Sequence, residues 1–142
     1  MPIIILLMVG FVILDQAVKK TAISSLSASP FYFSDFLILE IYKNYGIAFG
    51  LPASAGVFYF IAFLFFIGLA SGKLLSFKEM GKKEILAVGF ILSGALGNLI
   101  DRIRFGYIID YINLGDIVIF NLADMMIAAG AIMLIKVFVK HK

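Results

Sequence analysis

The chain contains no cysteine and a single histidine, and only 15% of its 142 residues are charged. Without cysteine there can be no disulfide, no thiolate metal site and no cysteine nucleophile. The histidine, His141, lies in the tail Lys140-His141-Lys142, a poor place for a catalytic base. Apolar residues fill the space that charge leaves: 63% are hydrophobic and the mean hydropathy is +1.08. A soluble domain of this length could not bury so much apolar surface, so lipid is the expected solvent. The length suits one compact domain, residues 1–142, and leaves no room for a second. A formal charge of +3 and a pI near 9.2 would fit nucleic acid. In a membrane protein, however, excess lysine marks the cytoplasmic side, and no nucleic-acid partner is expected.

A spanning helix needs roughly 20 mostly apolar residues. Four stretches meet or approach this: residues 2–19, 53–75, 85–103 and 121–139. The first lacks a basic segment ahead of its apolar run and a small-residue cleavage site after it, so it reads as a retained helix. Lys73, Lys78, Lys82 and Lys83 crowd the loop between the second and third spans, and Lys136, Lys140 and Lys142 crowd the C-terminal end. The positive-inside rule makes that side cytoplasmic, together with both termini. Every aspartate then falls outside or at an outer helix end: Asp15, Asp35, Asp101, Asp110, Asp116 and Asp124. Between the spans, the extracytoplasmic segments 20–52 and 104–120 are rich in aromatic and branched residues. Leu37 to Tyr42 reads as a strand, and a second pair is expected from Ile108 to Ile112 and Ile117 to Phe120. Its turn is expected at Asn113-Leu114-Gly115-Asp116. The fold class is therefore an all-α membrane protein of four transmembrane helices with a small extracytoplasmic β element. No internal repeat or low-complexity tract is visible.

Ionisable groups at membrane depth are costly and mark candidate sites. Asp15 and Lys19 stand four apart on one helix face, a spacing that serves a structural ion pair as well as a site. Asn44-Tyr45-Gly46-Ile47-Ala48-Phe49-Gly50 permits an irregular backbone with exposed donors, or an ordinary turn. In the third span Ser93 and Gly97 form a small-xxx-small pair for helix packing. Asn98, Asp101 and Arg102 share a face at its outer end, where Asp101 and Arg102 also suit a local ion pair. Asn121 and Asp124 have the spacing of a variant capping box. Asp110 has no such local explanation: it is an acid among apolar neighbours with no cation beside it in sequence. Burial should raise its pKa, and a second aspartate nearby would raise it further. Two carboxyls sharing a proton can activate water for peptide hydrolysis.

Asp-Gln-x-x-Lys, Asn-x-Gly-x-Ala-Phe, Gly-Asn-x-x-Asp-Arg and Phe-Asn-x-Ala-Asp follow one another on the four spans. Each is weak alone; in this order they resemble prokaryotic lipoprotein signal peptidase (signal peptidase II) over nearly the whole chain. The resemblance implies an intramembrane aspartic peptidase of the bacterial cytoplasmic (inner) membrane, blocked by globomycin. It implies cleavage of prolipoproteins just before a diacylglyceryl-modified cysteine, with no metal and no cofactor. The implied catalytic pair is Asp110 and Asp124. Asn44, Gly46, Asn98, Arg102 and Asn121 match positions that line or brace the site. Asp15 and Lys19 match the first motif, and Asp101 the acid of the third. Two departures stand out: a short Asp110–Asp124 connection without tryptophan, and Asn113 where many relatives carry an acid. Further expectations are a monomer in contact with membrane lipid and an active site toward the outer face. The rival reading is a small proton- or cation-coupled transporter. Transporters commonly show midplane acids and internal symmetry, whereas here the acids cluster at outer helix ends.

Overall fold

The structure, a computed structural model, describes residues 2–46 and 81–140. The expected span 53–75 lies outside the described residues, as do Lys73, Lys78, His141 and Lys142. The described chain forms three helices and one antiparallel sheet: α1 (Pro2–Leu26), β1 (Phe31–Tyr32), β2 (Leu37–Asn44), α2 (Lys82–Phe105), β3 (Ile108–Leu114), β4 (Val118–Phe120) and α3 (Leu122–Lys140).

Burial is inverted relative to a water-soluble domain. Ile5, Leu6 and Ile13 of α1 and Ile132 and Ile135 of α3 face outward, while Asp15, Lys19, Ser93, Asn98, Asp101 and Arg102 are buried. Lipid solvates such apolar faces, and the polar groups must find partners inside the bundle. Among the described residues α2 is long and apolar enough to cross a membrane.

α2 is the central helix, packed against both α1 and α3. Its small residues set the approach. A Cβ on Gly94 would collide with the carbonyl of Ala123 in α3, and one on Gly130 of α3 with the carbonyl of Ala87. The Ser93–Gly97 pair faces α1 instead: the Ser93 hydroxyl, which donates to the Gly89 carbonyl at 2.7 Å, lies 3.3 Å from the Met8 carbonyl, and Gly97 lies against Asp15. Gly94→Val should therefore push α2 from α3 and cost about 1–3 kcal/mol, read as a lower unfolding midpoint in detergent. Gly10→Val is the control, because among the described residues nothing outside its own helix turn lies within 4 Å of a Cβ there. Equal midpoints for the two variants would contradict this packing.

α1 runs on past the expected end at Lys19 to Leu26. Thr21 and Ser24 donate to the carbonyls of Ala17 and Thr21, so their hydroxyls are satisfied without breaking the helix. Val18, Ala22 and Leu26 then lie on one face, lining an apolar cleft of about 430 Å³ with Leu39, Tyr111 and Ile112 of the sheet.

The two expected strand regions form a single sheet of order β1-β2-β3-β4, because β2 pairs with β3. β1, too short for a sequence signal, adds an edge pairing Phe31 with Leu39. The β3–β4 turn falls one residue later than expected, at Leu114–Ile117, closed by the Ile117 N–H on the Leu114 carbonyl at 3.0 Å. Gly115 and Asp116 both have positive φ, 60° and 58°, as the tightest hairpin turns demand. This turn takes up only two residues, Gly115 and Asp116, of the Asp110–Asp124 connection.

Candidate active site

The β2–β3 register sets Tyr42 opposite Asp110 and Asn44 opposite Ile108. Asp110 is 1% exposed. Its Oδ2 accepts a 2.9 Å bond from Asn44 Nδ2. Asn44 is itself held by a turn, its Oδ1 accepting from the Gly46 N–H at 2.9 Å. The Gly46 carbonyl in turn accepts from Arg102 Nη2 of α2. Arg102 thus acts on the site through the Asn44–Gly46 backbone.

Asp124 enters from the first turn of α3. The anticipated capping box is formed: Asn121 Oδ1 accepts the Asp124 N–H at 2.9 Å, and Asp124 Oδ2 accepts the Asn121 N–H at 3.2 Å. The same asparagine does a second job, donating Nδ2 to Asp110 Oδ1 at 2.6 Å. One residue therefore caps the start of the helix and tethers both carboxyls. Asp124 Oδ1 accepts a further bond from Asn98 Nδ2 at 2.8 Å.

Burial pushes the Asp110 carboxyl up to about 6 from 3.8. The negative charge of Asp124 adds to that rise, while hydrogen bonds from Asn44 and Asn121 and the charge of Lys19 oppose it. The cation that sequence proximity did not offer Asp110 is thus supplied by α1. Next to it, burial lifts the Tyr111 phenol to about 12, and its oxygen accepts the Leu122 N–H at 3.1 Å. This second cap on α3 went unforeseen, because a tyrosine eleven residues away carries no capping signal.

Beneath the two acids lies a buried charge cluster. Lys19 Nζ contacts Asp15 Oδ2 at 3.0 Å, Asp101 Oδ2 at 2.7 Å and Asn98 Oδ1 at 3.0 Å. Asp15 and Asp101 are 0% exposed and Lys19 1%. The expected Asp15–Lys19 pair is present, but the cation against Asp101 is Lys19 rather than its sequence neighbour Arg102. Helix geometry explains the difference: adjacent residues point about 100° apart, and Arg102 turns to Gly46. Asp101 also accepts from Gln16 Nε2 at 3.0 Å and from the Ile109 N–H at 3.2 Å, tying α2 to the start of β3. Gln16 bonds to both Asp15 and the Gly97 carbonyl as well. It was not singled out, although its place within Asp-Gln-x-x-Lys was the available signal. A Cβ on Gly97 would sit 2.5 Å from Asp15 Oδ2, so that glycine makes room for the cluster.

One connected network therefore holds all ten candidates: Asp15, Lys19, Asn44, Gly46, Asn98, Asp101, Arg102, Asp110, Asn121 and Asp124. Asn113 belongs elsewhere. Fully buried, it donates to Glu40 Oε1 and Asp116 Oδ1, both at 2.6 Å, and braces the hairpin.

The sequence matches the signal peptidase (SPase) II family over residues 7–140. It is 38% identical over 128 residues to the lipoprotein signal peptidase of Halothermothrix orenii, covering 87% of this chain and 86% of that one. The lipoprotein signal peptidase of Syntrophomonas wolfei is 39% identical over 127 residues, with 87% and 84% covered. A bacterial membrane enzyme solved by the in meso method at 1.9 Å superposes with a TM-score of 0.83 at 28% identity, covering all of this chain and 96% of its own. With the family's sequence pattern spanning nearly every residue and a solved membrane enzyme sharing the fold throughout, this chain belongs to the signal peptidase II family.

Proposed function

We propose that the chain is a membrane-embedded aspartic endopeptidase that removes the signal peptide from prolipoproteins just before a diacylglyceryl-modified cysteine. The catalytic pair in this reading is Asp110 and Asp124, with no metal and no cofactor. The relatives are named lipoprotein signal peptidases, which supports the substrate class and gives the transporter reading no support. The observation that carries the chemistry is the Asn121 tether, which joins one buried carboxyl to a second at a helix N-terminus.

The two acids divide the work by environment. Asp124 lies in the first turn of α3, where the helix dipole favours an anion, and it serves as general base. Asp110, lifted by burial, holds the proton and serves as general acid. Water attacks the scissile carbonyl carbon, giving one proton to Asp124 while Asp110 protonates the carbonyl oxygen. Collapse of the resulting diol breaks the C–N bond. Asp124 then delivers its proton to the leaving nitrogen, and Asp110 regains one from a diol hydroxyl. Asn44 and Asn121 hold Asp110, Asn98 holds Asp124, and Arg102 braces Asn44 through Gly46.

In this reading a single domain, 1–142, crosses the bacterial cytoplasmic membrane four times, by α1, residues 53–75, α2 and α3. At 1.5 Å per residue, 25-residue α1 and 19-residue α3 reach about 37 and 28 Å, against about 30 Å of hydrocarbon. Both termini are cytoplasmic and the sheet lies at the outer surface, with exposed Phe31, Tyr32, Phe33 and Phe36 at the lipid boundary. The enzyme is a monomer whose outward apolar faces meet lipid and the substrate's signal helix and acyl chains.

The test is reconstitution of the pure protein with a lipidated prolipoprotein, following the shortened product. An unlipidated precursor should be cut far more slowly, since each acyl methylene buried from water is worth about 0.8 kcal/mol. No product from either form would refute the peptidase reading, and equal rates would refute the role of the acyl chains.

A further inference from the structure

We infer that Lys19 is a positioning residue of the peptidase, its ammonium fixing the side-chain amide of Asn98 so that the N–H end faces Asp124. This rests on the reading of Asp110 and Asp124 as the catalytic pair.

An asparagine amide fits its site in two orientations, with oxygen and nitrogen exchanged, and its neighbours decide between them. On one side of Asn98 lies Asp124 Oδ1, 2.8 Å from Nδ2; on the other lies Lys19 Nζ, 3.0 Å from Oδ1. Turning the amide over would set N–H against ammonium and oxygen against carboxylate. Both contacts would be repulsive.

Asn121 also donates to Asn98 Oδ1, at 3.1 Å. Its Nδ2 has two protons for three acceptors, however, and its shortest bond goes to Asp110. Lys19 has no such latitude. Its three protons meet three acceptors, two of them the carboxylates Asp15 and Asp101, and it can donate but never accept. Being charged, it is also the stronger donor. The buried pair Asp15 and Asp101 thus act at one remove: they hold the cation that holds the amide that serves Asp124.

Asn98 therefore keeps a donor on the Asp124 carboxylate, leaving the pair's proton on Asp110. Among the described residues, the other charged or titratable groups near the pair have partners of their own. Arg102 of α2 bonds the Gly46 carbonyl, Lys43 of β2 lies over the Tyr107 ring, and Tyr111 of β3 caps α3.

Lys19→Met alone strands two buried carboxylates, so the informative variant is Asp15→Asn/Lys19→Met, which leaves the cluster's net charge unchanged. Its kcat, normalised to folded protein, should fall roughly 10- to 100-fold, the worth of one charge-assisted hydrogen bond, with KM little changed. The acidic limb of its pH profile, which the two carboxyls set jointly, should move up, because the pair has lost a donor to its charged form. Asn98→Leu should show the same loss, and combining it with the double variant should add nothing, since both act through one bond. Wild-type kcat and acidic limb in the folded double variant, or additive losses, would overturn the inference. Should the double variant not fold, Asn98→Asp decides: it keeps an oxygen for Lys19 and removes the N–H from Asp124. A fall in kcat with a raised acidic limb supports the inference, and parental behaviour overturns it. Activity in Asp110→Asn or Asp124→Asn would instead strike at the dyad itself.

Discussion

Asp110→Asn and Asp124→Asn should each lose about 10²–10⁴-fold or more of the cleavage rate while still inserting and folding. Each change removes a titratable proton yet preserves an oxygen of the same shape. At 110 that oxygen can still accept from Asn44 or Asn121. At 124 it can still accept the Asn121 N–H and complete the helix cap. For Asp110 the fold even gains by the change. Its carboxyl titrates near 6 when folded and near 3.8 in a model peptide, so the folded state binds that proton more tightly. The resulting stabilisation is complete below about 3.8 and is lost as pH rises through about 6. Two units correspond to about 3 kcal/mol, part of which the variant forfeits by turning an amide N–H toward an existing donor. Asp110→Asn should thus be inactive yet at least as stable as the parent at pH 8, with the advantage shrinking toward pH 4. Unfolding midpoints at the two pH values check the stability, and specific activity per folded molecule checks the chemistry. An active Asp110→Asn beside a folded but dead Asp101→Asn would mean that the pair has been wrongly assigned.

What could be read in advance follows from the range over which each signal acts. Asn121 and Asp124 are three residues apart, and the capping box that joins them is a local rule. Asp110 was marked by the lack of any local explanation for an acid among isoleucines. Strand β2 was visible up to Tyr42, but its extension to Asn44 depends on pairing with Ile108 across the sheet. That extension is what carries Asn44 to Asp110. The main misreading, pairing Asp101 with Arg102, came from treating neighbours in sequence as neighbours in space. Which cation reaches Asp101 depends on the rotation of α1 against α2, set by Gly97 and Ser93 at their contact. No spacing rule encodes it. The roles of Gln16 and Tyr111 escape spacing rules for the same reason, since Asp101 and Leu122, which they reach, lie on other elements. Family resemblance named most of the remaining residues without saying how they touch.

Lys19→Met should be the most damaging single change to folding in this cluster, costing about 3–5 kcal/mol. The wild-type cluster has two buried carboxylates and one buried ammonium, and the ammonium contacts both. Without it, Asp15 and Asp101 face each other with no compensating cation from α1. Asp15 is poorly placed to bear this, because its Oδ1 already has no hydrogen-bond partner among the described residues. Asp101→Asn is a gentler change. It leaves Asp15 to balance Lys19, and the new side-chain oxygen can still accept from Lys19 or from the Ile109 N–H. It should lower the yield of folded protein while leaving measurable activity in the molecules that fold. Asp15→Asn/Lys19→Met should recover much of the stability lost in Lys19→Met, since one uncompensated carboxylate goes with the cation. The order expected in detergent unfolding is therefore parent, then Asp101→Asn and the double variant, then Lys19→Met. The measurement is the unfolding midpoint of each purified protein, together with the fraction of expressed chain recovered as a single monodisperse species. A Lys19→Met protein as stable as the parent would show that the ammonium does not hold α1 to α2. An Asp101→Asn protein less stable than Lys19→Met would locate the dominant contribution in the Asp101–Ile109 tie to β3 instead.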